Sequence, residues 1–578
     1  MKISTKNSNK LNILLFVLCL ILITAVMFSF IGQKEGFHED EIYSYGSSNY
    51  KYGDIFYASA DRDATNRVVA EHIMTDDFST TVKNIIYYRN HPEEFDALEQ
   101  AEINAELPIW KYPEEAKEYL TVSDGEELNY SSVYYNQSRD VHPPLFYCLV
   151  HLVCSFFVGA FSKYTIFGIN LVFILATCFI IRKILKLYKR EDLIIPSVLL
   201  YGLSMGAIST AIFLRMYSML TFFIMAYFYI NLKIAKNGFA ISKGCATLLI
   251  ITVVLGFLTQ YYFCLFAISV FLVMLIYMLK QNRKKQAIKY SIYHIISAVI
   301  GIGIFPSSIE HIFSSSRGIG NSSVGEFFPQ LEVMIQKVLY SFSFNRFLGV
   351  AVFLLVISYI FVKTISKTDT KEVKSEKLFN IFIFVVPIVA YVLLVAKFSP
   401  NLDPKTMVRY VTPVLPLIAI SFLVFLEKCL KTLSFSDRKI KNAIIYAVVF
   451  VISASGLIFN TPSYLYKGYN NYLKVAEEHK DLDFVYVYDN YFTHLNSLPE
   501  MMIYNKTLII NLNDEKQSNS LTKNEELKNS DKFVLSIKKW MNTEESLEKV
   551  LSLTGYTKAE VLLDQEDDTQ SIIYLVSR

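Results

Sequence analysis

Residues 10–46 read KLNILLFVLCLILITAVMFSFIGQKEGFHEDEIYSYG. The apolar run Leu11–Ile31 is long enough to cross a hydrocarbon core about 30 Å thick. Lys2, Lys6 and Lys10 precede it, and no small-x-small cleavage site follows. It reads as an uncleaved first span with its N-terminus inside. A few residues beyond it stand three consecutive carboxylates, Glu39, Asp40 and Glu41.

Composition agrees with a bilayer protein. Of 578 residues, 53% are hydrophobic and only 19% charged, against about 45–50% and about 25% in soluble proteins. That excess excludes a cytosolic enzyme, a disordered chain and a disulfide-stapled secreted domain. The balance of 56 Lys and Arg against 53 Asp and Glu carries no nucleic-acid footprint. The seven cysteines lie in or beside apolar runs, with no CxxC pair and no zinc spacing, and read as small core hydrophobes.

Further apolar segments lie near 144–160, 164–181, 193–213, 217–232, 245–260, 262–279, 290–306, 347–362, 379–396, 410–426 and 443–460. Five basic connectors separate them: Arg182–Arg190, Lys233–Lys243, Lys280–Lys289, Lys363–Lys377 and Lys428–Lys441. If 144–160 spans, every one of these clusters falls outside; if it lies on the outer surface, all fall inside. The expected fold is therefore an α-helical polytopic membrane protein of about eleven spans with a juxtamembrane helix at 144–160. Its N-terminus is cytoplasmic and its C-terminal part extracytoplasmic.

This orientation places a long first loop, 32–141, on the outer face, with the segments 307–345, 397–409 and 461–578. The expected domains are a transmembrane catalytic domain, 1–460, and a small α/β domain, 461–578. In that tail Phe484–Tyr488, Leu508–Leu512, Phe533–Ile537 and Ile572–Val576 suit strands, and Ser497–Tyr504 and Thr543–Leu553 suit helices.

Five outer stretches carry possible chemistry. Near Asp40 and Glu41 a carboxylate could accept a proton from a hydroxyl, or two could ligate a divalent cation; equally, the run could simply favour a helix N-terminus. In Ser138-Arg139-Asp140-Val141-His142-Pro143-Pro144 the prolines fix a helix entry. Arg139 and His142 there are candidates for a phosphate or acceptor contact, or ordinary solvated residues at a helix start. Arg215 is the sole charge between Asp192 and Lys233, so it either snorkels or meets an anion. Gln260 and Tyr261 sit in an uncharged outer turn, where belt tyrosines are the usual explanation. Lys397, Lys405 and Arg409 set cations on a short outer loop against the positive-inside trend, which favours an anion site.

These residues resemble a GT-C glycosyltransferase of the family 39 type, the type of the protein O-mannosyltransferases and the bacterial aminoarabinose transferase. The likeness rests on Asp40-Glu41 in the first outer loop, His142-Pro143-Pro144-Leu145-Phe146-Tyr147, Arg215-Met216-Tyr217-Ser218, Thr259-Gln260-Tyr261-Tyr262, and Arg409-Tyr410 before Pro413 and Pro416. Gln260 departs from the family's His. The resemblance covers roughly residues 10–460 and implies inverting transfer from a polyprenyl-phosphate-linked sugar at the outer face of a bacterial plasma membrane. It implies Asp40 as general base, Glu41 in support, and His142, Arg215, Lys405 and Arg409 as candidates for the donor phosphate. Arg139, Gln260 and Tyr261 remain as donor or acceptor contacts. The expected partners are the lipid-linked donor, the bilayer and a cell-envelope polymer, lipid or protein acceptor; no metal or other cofactor is expected. Competing readings are a polysaccharide polymerase or ligase, a lipid-linked substrate transporter or flippase, and a signalling or structural membrane protein. A transporter would place charges near mid-membrane, whereas here they cluster at the outer edge.

Overall fold

The structure, a computed structural model, describes residues 2–53, 56, 64–65, 67–75, 78–105, 108–313, 327–343, 371–399, 406–432, 437–488 and 493–578. The chain forms two compact units. The first comprises Met1–Gly32, Asp140–Phe146 and Lys163–Tyr464; the second comprises Gln33–Arg139, Tyr147–Ser162 and Leu465–Arg578.

The first unit is helical. Among the described residues, 8 helices are long and apolar enough to cross a membrane: Lys10–Gly32, Lys163–Leu187, Tyr217–Lys236, Tyr262–Lys280, Lys284–Ile304, Glu376–Phe398, Val408–Lys431 and Arg438–Phe459. The expected span at 193–213 is instead a pair, Glu191–Gly202 and Met205–Ile212, bent by 54°. Ser204 breaks it, because its side chain accepts from the Ala207 N–H and starts the second helix. The segment at 245–260 forms the shorter helix Lys243–Thr259, and that at 347–362 lies outside the described residues. The segment at 144–160 contains only the ten-residue helix Leu145–Cys154, too short to span.

Burial grades the bundle. Tyr217–Lys236 is mostly buried, whereas Lys284–Ile304 and Arg438–Phe459 turn Val299, Phe450 and Phe459 outward. Such rows of exposed apolar side chains require lipid as solvent. Small residues let helices approach closely: a Cβ on Gly202 would lie 2.3 Å from Ile23 of the first helix. The cysteines are all free, and each is buried or half-buried.

The second unit is built on one six-stranded sheet: β1 (Trp110–Lys111), β2 (Phe484–Tyr488), β3 (Thr507–Asn511), β4 (Lys532–Lys538), β5 (Lys558–Asp564) and β6 (Ser571–Ser577), in the order β1-β3-β2-β4-β6-β5. β3, β2 and β4 run parallel, and the other pairings are antiparallel. Central β2 is buried at every position, so it reads as an unbroken apolar run with no polar alternation. Val485, Val487, Leu535 and Ile537 pack on one face with Leu521, Leu527 and Val550.

The expected division at 460 and 461 does not describe this unit. β1 comes from the first loop, where Trp110 pairs in register with Leu508. The loop helices Glu39–Asn49, Pro113–Leu120 and Tyr130–Arg139 pack together within the same unit. Asn49 donates to the Leu120 carbonyl at 3.0 Å, and Asn136 to the Tyr50 carbonyl at 2.9 Å. Loop and tail are therefore one folded body.

Candidate active site

Two sets of residues carry chemistry, one in each unit. In the second unit the acidic run starts the helix Glu39–Asn49. His38 is its N-cap: its Nδ1 accepts from the Asp40 N–H at 3.0 Å, and Glu41 reaches back to the His38 N–H at 2.7 Å. That reciprocal arrangement is a capping box, with His in the place usually held by Ser or Thr. The helix-start reading of these acids is thus realised in part.

The carboxylates then separate by environment. Glu41 is wholly buried and accepts from Lys34 Nζ at 2.9 Å, both side chains fully enclosed. The Phe37 and Tyr466 rings lie 5.7 Å and 5.2 Å from the same ammonium. Glu41 is thus engaged both by Lys34 and by the helix cap. Asp40 keeps a quarter of its side chain exposed, with His38 Nδ1 3.7 Å from its Oδ2. It is the better placed of the two to meet a hydroxyl. Lys34 was not legible beforehand, because seven residues separate it from the acid it neutralises. Glu35 anchors the same segment by accepting from the Gly468 N–H at 2.7 Å.

In the first unit, Asn170 gathers the end of the helix Met205–Ile212 by donating to the carbonyls of Ala211 at 3.2 Å and Phe213 at 2.8 Å. The turn it fixes carries Arg215, which is 2% exposed. Arg215 Nη2 lies 3.3 Å from His142 Nε2, and His142 Nδ1 lies 2.6 Å from Asp140 Oδ2. A guanidinium can only donate, so the His142 lone pair faces Arg215 and its N–H faces Asp140. Burial works to raise the Asp140 carboxyl; His142, the Val141 N–H and the Arg215 charge outweigh it and hold the group at about 2. Asp140 was passed over in the sequence, although it is two residues from His142 and the turn before Pro143 brings the two together.

Arg409 arrives from the short helix Val408–Val411 and is 4% exposed. Its guanidinium lies 5.3 Å from the Phe213 ring and 5.2 Å from the Tyr410 ring. Phe213 stacks on Tyr464 at 4.0 Å, and Tyr464 donates to the Thr406 carbonyl. Tyr217 and Tyr262 pack edge-on against Tyr410 at 5.7 Å and 5.4 Å. Phe213 also stacks on Tyr217 at 6.0 Å, so the aromatic surround of Arg409 continues onto the helix that follows Arg215. The Tyr261 hydroxyl meets His311 Nδ1 at 3.0 Å.

The remaining candidates fare differently. Gln260 Oε1 accepts from the Tyr261 N–H at 2.6 Å, so its carbonyl serves its own turn. Arg139 is exposed at the end of its helix and lies on Tyr135, 5.8 Å from that ring. Lys405 lies outside the described residues. Among the described residues no three His, Cys, Asp or Glu side chains gather in a metal-binding arrangement.

No protein-family model and no curated protein matches the chain. Among solved structures, it is similar to two crystal structures of ArnT from Cupriavidus metallidurans. The apo structure aligns at 13% identity and a TM-score of 0.39, over 75% of this chain and 87% of that one. The structure bound to undecaprenyl phosphate aligns at 12% identity and a TM-score of 0.44, over 97% of both chains. At such identity and TM-score this is a likeness and nothing more.

Proposed function

We propose that the chain is a membrane glycosyltransferase that moves a sugar from a polyprenyl-phosphate donor to a hydroxyl acceptor at the outer face of the plasma membrane. The observation that carries the reading is the pair of buried arginines, Arg409 against Phe213 and Tyr410, and Arg215 against His142 with Asp140 behind it. Ionisable groups within a helical membrane unit mark a functional site by default, and planar guanidinium suits phosphate oxygens. The motif resemblance, centred on Asp40-Glu41 and His142-Pro143-Pro144, supports the same chemistry.

In this reading Asp40 takes the proton of the acceptor hydroxyl. The acceptor oxygen attacks the anomeric carbon as the bond from that carbon to the phosphate oxygen breaks. The electron pair leaves on polyprenyl phosphate, whose growing charge Arg215 and Arg409 stabilise. Asp140 and His142 act as positioning residues that hold Arg215, and Glu41 with Lys34 holds the helix start that carries Asp40. Inversion at the anomeric carbon follows if Asp40 acts as a base and forms no covalent intermediate.

The test uses full-length protein in lipid with a panel of radiolabelled polyprenyl-phosphate sugars and membrane extract as acceptor source. Wild type is expected to release free polyprenyl phosphate from one donor, and Asp40→Asn to lower that release at least about a hundredfold, the lower range of general-base contributions. An Asp40→Asn protein as active as wild type removes the base, and consumption of no donor removes the transferase. A carrier of lipid-linked substrates would bind the donor, release nothing and be indifferent to Asp40.

A further inference from the structure

The spans that pack around Arg409 also enclose a hydroxyl that the protein itself does not use. Tyr391 lies on the helix Lys371–Phe398, within the candidate span Glu376–Phe398. Its side chain is fully buried, and among the described residues its hydroxyl has no hydrogen-bond partner. Tyr227 and Tyr290, buried in the same helical unit, behave differently. Tyr227 donates to the Ala267 carbonyl at 3.2 Å and meets His294 Nε2 at 2.9 Å, and Tyr290 donates to Asn231 Oδ1 at 2.5 Å. A hydroxyl held away from water without a partner costs free energy that a phenylalanine in its place would spare. Within a span the bilayer supplies no substitute partner.

Ring contacts place Tyr391 beneath Arg409. The Tyr391 ring lies 6.3 Å from that of Phe266. Phe266 stands one turn beyond Tyr262 on the helix Tyr262–Lys280. Tyr262 packs edge-on against Tyr410 at 5.4 Å, and the Arg409 guanidinium lies 5.2 Å from the same Tyr410 ring. Tyr262 and Val408 each open a candidate span, so Arg409 belongs to the span ends. Tyr391 is seven residues short of the end of its own helix at Phe398, about 10 Å along the axis. All of these residues belong to the first unit.

We propose that the Tyr391 hydroxyl donates to the phosphate of the lipid-linked donor, meeting it from the membrane interior while Arg409 meets it from the span ends. This rests on the transferase reading above and deepens it by adding an uncharged contact to the phosphate. The chemistry selects phosphate over the prenyl chain, which has no acceptor for a phenol, whereas phosphate oxygens accept strongly from neutral donors. A phenol also adds a donor without setting a further charge in the membrane. Tyr391 is a binding residue here and takes no proton.

Full-length protein in a neutral detergent tests this by equilibrium binding of radiolabelled polyprenyl phosphate and polyprenol, with thermal melting of the same samples. Neither lipid bears a sugar, so the comparison isolates the phosphate contact. Tyr391→Phe removes the hydroxyl and keeps the ring. It is expected to bind polyprenyl phosphate about tenfold to a hundredfold more weakly, as for a lost hydrogen bond to a charged group. It should bind polyprenol like wild type and melt no lower than wild type. Tyr227→Phe is the contrast: it removes a hydroxyl paired within the protein, so it should lower the melting temperature and leave phosphate binding unchanged. A Tyr391→Phe protein that binds polyprenyl phosphate like wild type overturns the contact. One that melts lower reveals an internal partner and overturns it as well, and an equal loss for both lipids overturns the assignment to phosphate. Wild type that binds neither lipid overturns the transferase reading itself, so the two failures are told apart.

Discussion

At the scale of single residues, chemistry divides neighbours that the sequence presents as equals. Glu39, Asp40 and Glu41 are adjacent acids, yet Glu41 is enclosed with Lys34 and Asp40 is partly open. Glu41→Gln should therefore destabilise the second unit, because it leaves the Lys34 ammonium buried without its carboxylate, at a cost of about 3–5 kcal/mol; thermal unfolding measures it. Arg409→Lys keeps charge but loses the plane that faces Phe213 and Tyr410. Its expected effect is donor binding about tenfold to a hundredfold weaker, read as a rise in KM for the lipid-linked sugar. Arg215 was legible as the sole charge between Asp192 and Lys233, and Arg409 as one of three cations on an outer loop against the positive-inside trend. Asp140 and Lys34 were not, since a partner brought close by a turn leaves no mark on local composition.

Glu500 gives a pH signature of its own. Burial raises its carboxyl from 4.5 to about 7, with Asp567 adding to the effect and Ser497 and Lys538 opposing it. A raised folded value means that the native state holds the proton more tightly than the unfolded chain. The contribution to stability is full below about 4.5 and is lost as pH rises through about 7. Glu500→Gln should flatten that decline across pH 4.5 to 7, and a melting series across the interval checks it. Asp140 runs the other way: its contribution is present above about 4 and lost as pH falls to about 2.

Among elements, what sequence discloses depends on how each is buried. β2, β3, β4 and β6 announced themselves as β-branched and aromatic runs because both faces of the sheet interior demand such residues. β5, Lys558–Asp564, escaped notice because it is an edge strand with charged ends and largely exposed positions. β1 is two residues long and has no periodicity to read. The spans were legible from length and hydropathy; the break after Gly202 was not, because one serine cap decides it. Close packing makes a further test. A Cβ on Gly46 would stand 1.8 Å from Tyr119 Cζ, and Tyr119 is fully buried. Gly46→Ala should therefore cost about 1–3 kcal/mol through overpacking, seen as a lower melting temperature. Tyr119→Leu in the same chain should recover part of that loss.

For the molecule as a whole, the two folded units do not coincide with contiguous stretches of chain. Hydropathy alone marks where the chain leaves an apolar run, but nothing in it discloses that the first loop and the tail fold together. The register of Trp110 on Leu508 and the bond from Gly468 to Glu35 belong to pairings that composition cannot reveal. A fragment 465–578 produced alone should lack the edge strand and the loop helices, and it is expected to aggregate. Residues 33–139 fused to 465–578 should be soluble and show the far-ultraviolet signature of mixed helix and sheet. A fragment 465–578 that is soluble and melts cooperatively would contradict this.

The pairing of β1 with β3 also has a consequence in time. Its two strands are about 400 residues apart in the chain, and contacts of such separation form late because loop-closure entropy must be overcome first. During synthesis, the loop helices and their two-residue strand emerge long before the sheet they join. They wait, incompletely covered, while the ribosome delivers the later helices of the bundle. Biogenesis is thus most vulnerable in that interval, when the apolar surfaces of the nascent loop are open to proteases and to other chains.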